Sequence, residues 1–380
     1  MASIRHLIGK YYPKTVENVV ARYEYLHGRA PTNVSHWDPS SDFVSLMDRT
    51  LSVPANGSAI PYLYAPDAQQ IDAALRTIGT LSSAVMTTPS GTASIASALF
   101  WLASTSVRRL LIITPAYFSV GLLAEALGFD VQFATMVRVN NTYELPLIPS
   151  DVDAVWITNP LYCTTHYFTP SQLQTFRDLL EEDVYVIADE PMTYPHENAG
   201  SRLAGHKRFV GIYSPHKAIG INGLKCSLLA FDESVRRPML DTFDAFVGGL
   251  PLSAMTAVAH LVSPNFLQCA SAYDSFIAHA YERVRSVTAM FPTLSIDNFA
   301  RTNFVSVFAA RVDAKLGISA EFLTVASEAT GTVAYPSIIH GYGEEAGFGF
   351  RVNLTAVSDP FIAALRRWCD FLNRQSSGPS

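Results

Sequence analysis

The chain reads as an α/β protein with a mainly parallel sheet and helical crossovers, followed by a smaller C-terminal domain. Three observations carry that expectation. From Ser83 onward, short apolar strands alternate with helical segments, the pattern of parallel strands joined by crossover helices. Arg109 to Thr114 is apolar after its opening arginines, as a strand covered on both faces is. A long helical stretch, Ser271 to Met290, then separates the alternation from a last group of strands and helices.

The elements follow in order. Residues before about Leu46 read as an irregular arm holding a helix over Val16 to Leu26. A second helix is expected over Gln69 to Leu81, apolar at Ile71, Ala74, Leu75 and Ile78. Strands follow at Ala84–Thr88, Arg109–Thr114 and Val131–Ala134, with helices at Ala93–Ala103 and Ser119–Leu127 between them. Four more strands are expected at Val152–Thr158, Val184–Ala188, Phe209–Tyr213 and Cys226–Phe231, and helices at Pro170–Leu180 and Glu233–Phe246. The C-terminal part shows strands at Phe304–Ala309 and Phe350–Leu354 and helices at Ser319–Ala329 and Asp359–Leu372, before a frayed tail from Gln375.

A chain of 380 residues, 49% hydrophobic and 16% charged, has ample core and is not disordered. Lys+Arg 27 against Asp+Glu 33 gives a net charge of -6 with the charges scattered. That balance points away from nucleic acid and from an anionic membrane as partners. Cys163, Cys226, Cys269 and Cys369 lie far apart, with no CxxC and no His/Cys cluster. They read as reduced thiols of a cytoplasmic protein without a metal site. The N-terminus lacks an apolar core of signal-peptide length, and the run near Ala96 to Ala103 is too short to span a membrane.

Four stretches carry chemistry. Ser90-Gly91-Thr92 places two hydroxyls and a glycine at a helix start, where free backbone N–H groups bind a phosphate and glycine lets the backbone approach it. It is neither a P-loop nor a dinucleotide fingerprint, because no Lys-Ser/Thr follows and no GxGxxG is present. Asp189 ends an apolar strand, and a carboxylate buried there needs a cation. Lys217 lies in Ser214-Pro215-His216-Lys217, just beyond another apolar strand, and Arg351 sits inside an apolar one.

Taken with Pro115-Ala116-Tyr117 and Thr158-Asn159-Pro160, in this order and spacing, these stretches resemble the fold-type I pyridoxal-phosphate enzymes of the class I/II aminotransferase-like family. The resemblance runs from about Asp38 to the C-terminus. It implies a three-layer αβα large domain (residues 46–285), a smaller α+β domain (286–380) and an N-terminal arm with part of the small domain (1–45). It implies pyridoxal 5'-phosphate as cofactor, an α-amino acid as substrate and a homodimer with shared sites.

Residue by residue, the resemblance makes Lys217 the amine of the internal aldimine and the proton carrier at the α-carbon. Asp189 pairs with the pyridinium nitrogen and Tyr117 stacks on the ring. Ser90, Gly91, Thr92, Ser214 and Lys225 hold the phosphate, with Lys225 standing where the family usually has arginine. Tyr64, with Tyr62 next, reaches the neighbouring subunit's phosphate, and Ser253 falls at the same interface. Arg351 clamps the substrate carboxylate, while Trp37 and His36 in the arm contact the substrate.

The chain departs from the family at two positions. Tyr162 stands where an asparagine meets the ring's phenolic oxygen, and Met192 where a tyrosine does. Either Tyr162 or Asn159 then serves that oxygen. His216 and His340 are possible acid/base groups. Aminotransferase is the leading activity. A lyase, oxidase, cyclase or β/γ-replacement enzyme is the alternative favoured by Tyr162 and Met192. A cofactor-binding sensor is a further alternative, for which the segment ahead of Asn33 leaves no room for a helix-turn-helix.

Overall fold

The computed structural model describes residues 4–12, 14–51, 72, 82–139, 141–193 and 200–376. Where the sequence predicts one N-terminal helix there are two, α1 (Ile4–Tyr11) and α2 (Thr15–His27), and Gly28 closes α2 with φ 64. A two-residue strand, β1 (Thr32–Asn33), leads to α3 (Ser41–Thr50), capped by the Ser40 hydroxyl. The helix expected over Gln69 to Leu81 lies, apart from Asp72, outside the described residues.

The alternation then appears as expected. β2 (Ala84–Thr88) turns into α4 (Gly91–Ser104), β3 (Arg109–Thr114) into α5 (Phe118–Ala126), and β4 (Asp130–Thr135) closes that edge. A hairpin not foreseen from the sequence, β5 (Val137–Val139) and β6 (Thr142–Glu144), follows, with Asn141 at φ 65 in its turn. Next come β7 (Ala154–Thr158), α6 (Pro170–Glu181) opened by a Thr169–Gln172 capping box, β8 (Tyr185–Glu190) and α7 (Gly200–Leu203). β9 (Phe209–Tyr213), α8 (Pro215–Ala218), β10 (Ser227–Phe231), α9 (Arg236–Phe246) and α10 (Leu252–Leu261) complete this half.

The long helix α11 (Pro264–Thr288) begins seven residues ahead of its expected start. Pro264 occupies its first turn, where a missing N–H is harmless. β11 (Leu294–Ile296), β12 (Phe304–Ala309), α12 (Ala320–Thr330), β13 (Thr332–Val333), β14 (Phe348–Asn353) and α13 (Asp359–Ser376) form the rest.

The seven-stranded sheet has the order β2-β10-β9-β8-β7-β3-β4. β10 runs antiparallel to both its neighbours, and every other pairing joins strands of one direction. All residues of β2, β7, β9 and β10 are buried, because helices cover both faces. The antiparallel β11-β12-β14 sheet is the core of the smaller half, with α11, α12 and α13 around it. β8 runs two residues further than expected, because its ladder with β9 continues to the Glu190–Tyr213 pair. Asp189 therefore belongs to the strand itself. All four cysteines are free and buried, and no helix among the described residues is long and apolar enough to cross a membrane.

Candidate active site

Loops leave the carboxyl ends of β2, β3, β7, β8 and β9 at one edge of the sheet, the edge where open α/β sheets bind ligands. These loops, the arm and the segment before β10 enclose a cavity of about 320 Å³. Its walls include Trp37, Ser90, Gly91, Thr92, Tyr117, Tyr162, Asp189, Ser214, Lys217 and Lys225. Residues far apart in the chain thus meet in one place.

At one end α4 presents its N-terminus. The Ser90 hydroxyl caps the helix by accepting from the Ala93 N–H at 3.1 Å. Gly91 faces Ser214, and a Cβ on Gly91 would stand 3.1 Å from the Ser214 Oγ. A string of hydroxyls supports this corner: Thr88 to Ser94 at 2.7 Å, Ser94 to Ser227 at 3.1 Å and Ser214 to Ser227 at 3.2 Å. The register explains the string, since Ser227 pairs with Thr88 across the β2–β10 ladder.

Asp189 is 2% exposed, and its carboxyl makes no hydrogen bond among the described residues. Burial raises its pKa to about 7, against the pull of Lys217. Lys217 sits in α8, not at a strand end, directly after β9. Its Nζ lies 4.7 Å from the Trp37 ring centre and 5.8 Å from that of Tyr117. Burial lowers the pKa of this amine, with Asp189 opposing the shift. The Lys217 carbonyl accepts from Asn303 Nδ2 at 2.8 Å, which fixes the lysine backbone to the smaller half.

Arg351, on β14, is 5% exposed and has no acidic partner among the described residues. Its Nε donates to the Ser35 carbonyl at 3.0 Å. Its guanidinium is framed by the rings of Tyr335 at 4.8 Å, Phe304 at 5.0 Å and Trp37 at 5.8 Å. Tyr162 stands between this cation and Tyr117, with its Oη 3.5 Å from Arg351 Nη1 and its ring 6.0 Å from that of Tyr117. Burial holds its phenol well above the ordinary pKa.

Other predicted residues lie elsewhere. Asn159 is occupied behind the wall: its Nδ2 donates to Glu190 at 2.6 Å and its Oδ1 accepts from the Phe168 N–H at 3.0 Å. Met192 Sδ accepts from Asn303 at 3.4 Å. His36 is exposed and pairs with Asp38 at 2.8 Å. Ser253 is exposed in the first turn of α10. Tyr62 and Tyr64 lie outside the described residues. His216 turns away from the cavity to His260, 2.9 Å off, and burial with that neighbour lowers its pKa to about 3. His340 packs edge-on to Tyr162 at 5.2 Å, kept neutral by burial and by Arg351. Asn303, Tyr335, Phe304 and Ser35 were not singled out, because nothing in their local sequence differs from ordinary loop and strand positions.

No family model and no curated protein matches the sequence. Among solved structures, the chain is similar to an aspartate aminotransferase mutant of Thermus thermophilus, at 14% identity and TM-score 0.76 over 97% of this chain and 100% of that one. An aminotransferase of Mycobacterium tuberculosis shares 17% identity and a TM-score of 0.75 over 99% and 100% of the two chains. The N-succinyldiaminopimelate aminotransferase of the same organism shares 15% and 0.74 over 97% and 99%. Helical layers about a mainly parallel sheet, a small C-terminal sheet and these full-length matches together show that the chain has the fold of the fold-type I pyridoxal-phosphate-dependent aminotransferases.

Proposed function

We propose that the protein is a pyridoxal-phosphate-dependent enzyme acting on an α-amino acid, with amino transfer as the leading reaction. One observation carries this reading: a buried carboxyl without a hydrogen-bonding partner, an amine of lowered pKa and a glycine-opened helix N-terminus share a single cavity. The residues fit the cofactor. The bare Asp189 carboxyl needs the cation that a pyridinium nitrogen provides, and a side chain at Gly91 would crowd the corner where a phosphate would sit.

Bound there, the cofactor would supply an electron sink for the pair released at the substrate's α-carbon. The chain does the rest. Lys217 holds the cofactor covalently and, once released, moves the proton at the α-carbon. The Gly91 and Thr92 N–H groups, the Ser214 hydroxyl and the Lys225 ammonium hold the phosphate. Tyr117 covers the ring, and Arg351 binds the substrate carboxylate. The same reading makes the protein a homodimer with sites at the interface.

A second reading is favoured by a specific observation. Asn159 is committed to Glu190 and Phe168, and Met192 carries no donor, so of the residues matched to that role Tyr162, in the cavity wall, is the one that would serve the ring's phenolic oxygen. A site with fewer donors to that oxygen suits a lyase, oxidase, cyclase or replacement reaction on the same scaffold. Borohydride fixation of the loaded protein followed by peptide mapping tests the main proposal. The label should fall on Lys217, Lys217→Ala should abolish turnover, and a label on another lysine would overturn the assignment. Retention of the amino group by the protein supports transfer, whereas release of ammonia supports the second reading.

A further inference from the structure

The two N-terminal helices bridge the halves of the molecule. α1 packs on α5, where Gly121 leaves room for the Tyr11 ring, and α2 packs on α12. Between them Tyr12 lays its ring against Phe118 at 4.8 Å and donates its hydroxyl to Glu17 Oε1 at 2.6 Å. From the other side the Tyr335 hydroxyl donates to the same oxygen at 3.1 Å, while its ring faces the Arg351 guanidinium at 4.8 Å. One tyrosine ring therefore separates Glu17 from Arg351.

The second oxygen of Glu17, Oε2, is buried and accepts no hydrogen bond. Among the described residues no Lys, Arg or His pairs with this carboxylate. Burial and the Glu17 charge raise the pKa of both phenols, so they stay protonated and bring no positive charge. A carboxylate oxygen shut away without a donor is costly. It is resolved when a cation arrives. Arg351 has the opposite need, a buried cation without an anion, and the two unmet charges lie on either side of Tyr335.

We infer that Glu17, set between Tyr12 and Tyr335, receives the cationic end of the substrate, so that the substrate is a basic α-amino acid carrying an ammonium or guanidinium group. The inference rests on the proposed function in placing the substrate carboxylate on Arg351. Because Oε2 is closed off from solvent, the cationic group would reach it only with a shift of the α1–α2 arm.

Calorimetric titration tests this on the cofactor-loaded protein and on the protein as purified. The probes are L-arginine and L-lysine against their uncharged near-isosteres L-citrulline and L-norleucine. A charge-assisted contact predicts that each cationic amino acid binds at least about tenfold tighter than its neutral counterpart. Glu17→Gln should bring each pair within about twofold while leaving the neutral ligands unchanged, and Glu17→Asp should keep part of the preference. Equal binding of lysine and norleucine by the unmodified protein overturns the inference whether or not the variants fold. So does an equal loss for all four ligands in Glu17→Gln, which would make Glu17 a structural carboxylate only. Uptake of arginine through Glu17 without uptake of pyridoxal phosphate would keep the inference and remove the proposed function. A label on Lys217 with no preference for cations would do the reverse.

Discussion

Asp189, in the cavity wall, and Arg351 are both buried, and neither forms an ion pair among the described residues. For Asp189 the pKa in the folded protein is about 7, above the ordinary 3.8. Between those values the folded state holds a proton that the unfolded state has lost. The contribution of Asp189 to the stability of the unloaded protein is therefore fullest below about pH 4 and is lost as pH rises through about 7. Asp297, raised by burial to about 6, adds a loss of the same sign. Asp189→Asn should flatten the decline of the melting temperature with pH without abolishing it, and an unchanged slope would locate that proton elsewhere. Arg351→Ala should raise the apparent KM roughly ten- to hundredfold, the range of a lost charge-assisted hydrogen bond. Steady-state kinetics would read this directly, and an unchanged KM would remove Arg351 from the carboxylate site.

At the scale of elements, the cavity depends on how the turns are seated. The 3₁₀ turn Ser337–His340 ends at Gly341, whose φ of 85 is open to glycine and strained for other residues. A Cβ there would also come within 2.9 Å of the Thr114 Cβ. This turn lies against the end of β3, and the Ala116 N–H donates to the His340 carbonyl at 3.3 Å. Gly341→Ala should therefore cost about 1–3 kcal/mol, through backbone strain and overpacking together. Denaturant titration would measure the loss, and a variant as stable as the parent would show that the turn can shift without cost.

Across the whole molecule, the unforeseen β5–β6 hairpin ties the large sheet to the small one. Arg138 reaches Asp297 beyond β11 at 3.1 Å, with the Phe308 ring 4.1 Å beneath its guanidinium and the Tyr143 hydroxyl on the other Asp297 oxygen at 3.0 Å. Removing one member of a buried pair leaves the other uncompensated, at a cost of about 3–5 kcal/mol. Arg138→Ala should destabilise the fold by up to about that amount at neutral pH. The loss should shrink in acid, where Asp297 takes up a proton and no longer needs the arginine. Unfolding curves at two pH values would show the difference, and a pH-independent loss would mean that packing and not charge is at stake.

The strand–helix alternation, the apolar strands and the turn at Ser90-Gly91-Thr92 were legible in the chain because hydrophobic period and capping chemistry are local signals. Those signals determined the fold class, the positions of Asp189 and Lys217 at or just beyond strand ends, and that of Arg351 within a strand. The hairpin and the true start of α11 were not legible: three-residue strands carry almost no period, and a proline at a helix start looks like one that breaks a helix. Tertiary structure alone decided that Asn159 faces Glu190, that His216 turns to His260 and that Glu17 and Tyr335 meet beside Arg351. Which way a side chain points, and which distant residue it finds there, follows from the packing of whole elements and leaves no trace in the few residues around it.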